Sequence, residues 1–181
     1  MVEKEIKILE VDVPRVQYAL QKLGATLYHM GDIVDTYYNL PPEANATLRD
    51  TVKVRRKHTE QYITYKKKKP STKIKKCLEI EVQVPTHYDI HASLTTAGLV
   101  PTWIKTKYRY GYMLPDGTHV DIDLYPGLPP LVEIEGASAK VITQRQKKLD
   151  LHEHTRVTWG SRKLMKHYQQ PLTPAAPLYS L

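Results

Sequence analysis

Charged and apolar residues alternate along many short stretches of this 181-residue chain, a spacing that predicts strands. In Val2-Glu3-Lys4-Glu5-Ile6-Lys7 a period of two puts Glu3, Glu5 and Lys7 on one face, with Val2, Lys4 and Ile6 on the other. Leu78–Val82 and Val132–Gly136 repeat the acid–apolar–acid pattern with Glu79/Glu81 and Glu133/Glu135, and Val120–Leu124 repeats it with Asp121/Asp123. Basic strands share the parity. Thr51–His58 sets Lys53, Arg55 and Lys57 against Val52 and Val54; Gln61–Lys68 alternates through Tyr62, Thr64, Lys66 and Lys68. Trp103–Tyr112 gathers Lys105, Lys107 and Arg109 opposite Ile104, Tyr108 and Tyr110, and residues 26–40 form one further strand.

Helical spacing appears between these strands. Asp12 caps a helix with Pro14 in its first turn, Val16, Ala19, Leu20 and Leu23 on its apolar face and Gly24 as its stop. A second helix is expected from Pro85-Thr86 to Ala97, a third over 139–149 capped by Ser138, and a short one from Ser161 to Tyr168. Pro115-Asp116-Gly117 reads as a hairpin turn and Tyr125–Pro130 as a rigid turn, with loops from Pro41-Pro42 through Asn45 and over Pro70–Lys73. The tail after Gln170, with Pro171, Pro174 and Pro177, reads as extended or disordered. The expectation is one domain over 1–170 with a tail over 171–181, of α+β class, holding about eight strands and three or four helices. In an open sheet or sandwich the charged faces meet solvent; in a closed barrel they line a lumen while helices cover the apolar faces.

Charge narrows the choice of partner. Lys plus Arg is 27 against 19 Asp plus Glu, a net +8, which favours an anion: nucleic acid, nucleotide, polyphosphate or an acidic membrane. The one cysteine, Cys77, excludes an intrachain disulfide and suits a reducing compartment, and we read it as structural. No apolar run is long enough to span a bilayer, and the charged N-terminus lacks an apolar signal core, so the expected location is the cytoplasm, without a membrane partner. Phe is absent against 13 Tyr, which leaves tyrosine to supply most aromatic packing.

Two carboxylates about 7 Å apart along a strand can share one hard cation. The competing explanation is a set of cross-strand ion pairs, each contributing at most about 1 kcal/mol. The runs Lys66–Lys69 and Lys73–Lys76 have few interleaved aromatics, which favours a substrate-steering rim over a nucleic-acid patch. His152-Glu153-His154 has no further ligand to complete a tetrahedral zinc set and reads as polar surface; Trp103 and Trp159 read as packing residues.

The ordered set of motifs resembles the CYTH family, the triphosphate tunnel metalloenzymes. Glu3-Lys4-Glu5-Ile6-Lys7 matches its N-terminal ExExK, and Asp35-Thr36-Tyr37-Tyr38, Lys53-Val54-Arg55, Thr64-Tyr65-Lys66, Glu79/Glu81, Lys107-Tyr108-Arg109, Asp121/Asp123 and Glu133/Glu135 follow in the family's order through about residue 168. The resemblance implies a closed eight-stranded antiparallel tunnel with helices outside, binding a triphosphate with Mg²⁺ or Mn²⁺. It implies Glu3, Glu5, Asp121, Asp123, Glu133 and Glu135 as metal ligands, with Glu79 and Glu81 holding a second metal or orienting the bases. Lys7, Lys53, Arg55, Lys66, Lys107 and Arg109 would hold phosphate, and Lys7 and Glu5 would be catalytic, Lys7 as base if neighbouring cations depress its pKa. Lys57 and Lys105 are expected at the tunnel mouths. Lys53 replaces the family's arginine, and a lysine cannot grip phosphate in a bidentate fork. The implied partner is a triphosphate-bearing small molecule, inorganic, nucleoside or thiamine; a homodimer stays open and nucleic acid is disfavoured. Three functions compete: metal-dependent triphosphatase, class IV adenylate cyclase, and a non-catalytic binder of nucleotide, polyphosphate or RNA.

Overall fold

A computed structural model describes residues 2–41, 50–71 and 74–175; the expected loop through Asn45, Thr72, Lys73 and the end of the tail with Pro177 lie outside the described residues. Eight long strands form the frame: β1 (Val2–Leu9), β2 (Thr26–Asn39), β3 (Asp50–Lys57), β4 (Glu60–Lys69), β5 (Lys75–Val84), β6 (Val100–Met113), β7 (His119–Leu124) and β8 (Leu131–Glu135). Four helices intervene: α1 (Val13–Lys22), α2 (Ile90–Thr96), α3 (Ala139–Lys148) and α4 (Ser161–His167). Two two-residue strands that the pattern did not announce, β9 (Arg156–Val157) and β10 (Thr173–Pro174), pair with β1 and β6.

The strands run in the order β6-β2-β3-β4-β5-β1-β8-β7, and β7 pairs back onto β6. The ring is closed and antiparallel throughout. Directly opposed residues share a face, so the register fixes the lumen. Glu5 faces Glu135 and Lys75, Lys7 faces Glu133, Lys66 faces Glu79, Lys53 faces Thr64, Asp35 faces both Arg55 and Lys105, and Arg109 faces Asp123. The charged parity of every strand therefore turns inward.

The apolar parity turns outward, and the main core lies between barrel wall and helices. Ile6, Ile8, Val120, Ile122, Val132 and Ile134 pack against Val16 and Leu20 of α1 and Ile142 of α3. Asp12 caps α1 by accepting from the Arg15 N–H at 2.9 Å, Ser138 caps α3 by accepting from Val141 at 3.2 Å, and Gly24 follows α1 at φ +70°. Leu94 of α2 packs with Tyr38, Val52 and Val54 on a second wall. The helix expected from Pro85 begins only at Ile90, where Asp89 accepts from the Ala92 N–H. A buried residue accounts for the delay: the Gln61 amide donates to the carbonyls of Pro85 (2.9 Å) and Tyr88 (3.0 Å) and holds that stretch as a turn.

One part of the lumen wall is apolar. Leu9 and Leu131 oppose each other on the lumen face and cluster with Tyr125 and with Leu164 and Met165 of α4. The short helix is thus anchored against the barrel there. Among the described residues no helix is long and apolar enough to cross a membrane.

Candidate active site

The lumen side chains sort into three zones. At one mouth carboxylates gather. Lys66 donates to Glu3 at 2.9 Å and pairs with Glu79. Burial, then a hydrogen bond to Glu3, pushes Glu79 up to about 7. Burial also works to raise Glu3, but its bond with Glu79 and the charge of Lys66 outweigh this and lower it. Glu135 forms no ion pair among the described residues, and burial followed by the charges of Glu3 and Glu5 lifts it to about 8. Glu81 is exposed at the rim and accepts from the Thr64 hydroxyl at 2.9 Å.

In the middle, ions are saturated by one another. Lys7 Nζ stands 2.8 Å from both Glu5 and Glu133. Arg109 forks onto Asp123 at 2.6 and 2.7 Å and also bonds Glu133 (2.7 Å) and Asp121. Lys107 reaches Asp123 at 2.6 Å, and the Tyr28 hydroxyl donates to Asp121 at 2.6 Å. Burial opposes the charge on Lys7, but Glu133 and Glu5 overcome it and raise its pKa. The neighbours that set the Lys7 pKa here are thus carboxylates rather than cations. Lys107, by contrast, is brought down to about 8 by burial and then by Arg109.

At the other mouth cations dominate. Asp35 is completely buried and serves three of them: Arg55 in a fork at 2.7 and 3.0 Å, Lys105 at 2.8 Å and Lys53 at 3.5 Å. Burial, then Arg55, pushes Lys53 well below the usual lysine range. Lys75 holds Glu5 at 2.7 Å, and Lys105 donates to Ser161 Oγ of α4 at 3.3 Å. Tyr37 and Trp103 stack at 4.3 Å. A cavity of about 550 Å³ opens here, lined from Lys7 and Glu133 inside to Lys68, Arg162 and Lys163 at the rim.

The structure thus brings together Glu3, Glu5, Glu79, Glu133 and Glu135 with Lys7, Lys53, Arg55, Lys66, Lys107 and Arg109, and leaves Glu81 at the edge. Asp121 and Asp123, expected as metal ligands, are engaged by Arg109, Lys107 and Tyr28. Lys105, expected only at a mouth, is 6% exposed and lies in the lumen. Asp35, Lys75 and the α4 residues were missed as site residues. Asp35 stood in the Asp35–Tyr38 motif and Lys75 in the Lys73–Lys76 run, but neither was given a lumen position, and nothing in the sequence marks α4 as a rim. Cys77, read as structural, lines the cavity. Lys57 sits at the acidic side, 3.8 Å from Glu60. His152, Glu153 and His154 form no metal cluster among the described residues.

Among the described residues no three Asp, Glu, His or Cys converge as a ready metal-ligand set. The donor chemistry nevertheless fits a hard divalent cation: the clustered groups are carboxylate oxygens, and Glu135 faces Glu5 across the β1–β8 pair with no ion-pair partner of its own among the described residues.

Fold and lumen together define a closed antiparallel barrel with an ionic interior. The chain belongs to the CYTH domain family, whose model matches residues 1–166. No curated protein matches it. Similar solved structures include the PH1012 protein of Pyrococcus horikoshii OT3, 21% identical with TM-score 0.70 over 83% of this chain and 92% of that one. A candidate adenylate cyclase of Vibrio parahaemolyticus is 12% identical, TM-score 0.75, over 92% and 98%. HpAC1 of Hippeastrum, a candidate adenylyl cyclase described as having a dominant triphosphatase activity, is 12% identical, TM-score 0.57, over 94% and 97%. At these identities the likeness is one of fold.

Proposed function

We propose that the chain hydrolyses a triphosphate inside the barrel, with a divalent cation, Mg²⁺ or Mn²⁺, held by Glu3, Glu5, Glu133 and Glu135. The observation that carries this reading is the inward-turned ionic face of all eight strands, zoned into carboxylates at one mouth and excess cations at the other. A binder of polyanions has use for the cations but not for a buried carboxylate cluster, which repels its ligand. When bound, the cation would neutralise phosphate charge and acidify a water.

The chain's own residues do the rest by exchange of partners. Phosphate oxygens replace Asp35 and Glu133 on Arg55, Lys53, Lys105 and Arg109, and the released carboxylates orient those cations from behind. Lys66 and Lys107 add charge, and Asp121 and Asp123 keep the Arg109 guanidinium in place. Lys7, bonded to Glu5 and Glu133, links the two zones, and Glu5 and Lys7 stand nearest the reacting phosphate. Water attacks the terminal phosphorus, the bond to the bridging oxygen breaks, and orthophosphate, the shortened phosphate and a proton leave.

The test is release of phosphate from tripolyphosphate, ATP and thiamine triphosphate with Mg²⁺, Mn²⁺ or EDTA, with cyclic AMP measured in parallel. Metal-dependent phosphate release is expected. Cyclic AMP and pyrophosphate from ATP would replace the reading by adenylate cyclase, and no product under any metal would replace it by a binder.

A further inference from the structure

Resting on that reading, we infer that Tyr28 is a positioning residue of the site: its hydroxyl fixes Asp121, and Asp121 in turn fixes the guanidinium that Arg109 presents to a phosphate. The contacts run in series. Tyr28 donates to Oδ1 of Asp121 at 2.6 Å, and Arg109 Nη1 donates to the other oxygen, Oδ2. The rest of the guanidinium bonds Asp123 at 2.6 and 2.7 Å and Glu133 at 2.7 Å. A carboxylate turns over a broad torsion about its last bond, so a single contact on one oxygen leaves its plane loosely set. The Tyr28 hydroxyl on the opposite oxygen sets it. This matters most when a phosphate takes the place of Glu133, because Asp121 and Asp123 then hold the guanidinium alone.

The backbone is shaped to bring the ring there. The register of β2 on β6 passes from Leu27 opposite Tyr112 to His29 opposite Gly111, which leaves Tyr28 as the extra residue of a bulge. Gly111 faces Asp121 on β7. A Cβ on Gly111 would come 2.7 Å from Cζ and 2.9 Å from the hydroxyl oxygen of Tyr28, so a side chain at 111 would push the hydroxyl off Asp121. His119 meets the Tyr28 ring edge to face, 5.3 Å between centres. Apolar burial does not account for this arrangement, since Tyr28 stays 47% exposed. What the bulge and the glycine deliver is a hydroxyl on Asp121.

Tyr28→Phe keeps the ring and removes the hydroxyl. Calorimetric titration of the full chain with tripolyphosphate, in EDTA and with Mg²⁺, compares wild type, Tyr28→Phe, Asp121→Ala and the double variant, with phosphate release measured for each. Urea unfolding checks that each is folded. Tyr28→Phe is expected to weaken tripolyphosphate binding at least fivefold with an unfolding midpoint near that of wild type. The double variant should bind no more weakly than Asp121→Ala alone, because the hydroxyl acts through that carboxylate; a merely structural role would add in full. Gly111→Ala, which displaces the ring, should lose as much affinity as Tyr28→Phe. Wild-type affinity in Tyr28→Phe, or a loss that adds in full to that of Asp121→Ala, would overturn the inference while phosphate release kept the triphosphatase reading intact. The expected coupling in binding without phosphate release would do the reverse. No binding of tripolyphosphate by wild type would overturn both.

Discussion

Asp35 shows what one buried side chain must do in an ionic lumen. Among the described residues it is the only carboxylate bonded to Arg55, Lys53 and Lys105. Burial favours its protonated form, but those three cations hold its pKa well below 3.8. Asp35→Asn leaves three cations uncompensated, and breaking such a buried set costs about 3–5 kcal/mol. The sign with pH follows: a carboxylate depressed on folding stabilises above its unfolded pKa, and that contribution fades as pH falls through the folded value. Urea unfolding of wild type and Asp35→Asn should therefore show a constant gap from pH 7 to pH 5 that narrows below pH 3.8. Glu135 is the opposite case, raised by burial and then by the charges of Glu3 and Glu5. Glu135→Gln should lower kcat for tripolyphosphate at least a hundredfold and leave the unfolding midpoint in EDTA unchanged or higher. An unchanged kcat removes Glu135 from the cation site.

Elements were legible where a period of two or 3.6 ran uninterrupted. β1, β3 and β6 could be assigned to faces residue by residue, and the register agrees with that assignment. Arg55 and Arg56 test it on one strand: Arg55 is turned to Asp35, while Arg56 is exposed. Arg55→Ala should raise KM for triphosphate at least tenfold and Arg56→Ala less than twofold; similar changes would mean the strand is turned the other way. Legibility failed where the period broke. A bulge between Leu27 and His29 resets the parity of β2, which lets Tyr28 reach Asp121 although Asp35 and Tyr37 share the lumen at odd numbers. Gly111 makes room for it: a Cβ there would come within 2.7 Å of the Tyr28 ring. The late start of α2 depends on Gln61, 24 residues before the nearer carbonyl it holds, and no local pattern reports such a contact. The packing of α4 on the barrel was equally hidden, since Leu164 and Met165 look like any short amphipathic face. Leu164→Ala, at a fully buried position, should cost about 2–5 kcal/mol and release the α4 rim from the cavity, seen as a lower urea midpoint and faster proteolysis near Ser161.

For the whole molecule, the barrel inverts the usual arrangement. Its apolar core is the shell between wall and helices, and its centre is a lattice of ion pairs. Closure was not decided by alternation alone, because the same faces on an open sheet would meet water; the β7–β6 pairing decides it. Because the lumen cations and carboxylates neutralise each other, substrate and metal should bind together, each freeing the partner of the other. Tripolyphosphate with Mg²⁺ at a hundredfold excess over Kd should then stabilise the fold by about 2.7 kcal/mol, and either component alone by much less.

The central claim is that phosphate and metal both sit inside this ring. A crystal structure with tripolyphosphate and Mn²⁺, using anomalous scattering to locate the metal, tests it most directly. We predict phosphate density in the lumen on Arg55, Lys53 and Arg109, with a manganese peak at the Glu3, Glu5 and Glu135 carboxylates. Phosphate bound only on the outer wall, or in the lumen with no manganese at those carboxylates, would contradict the account.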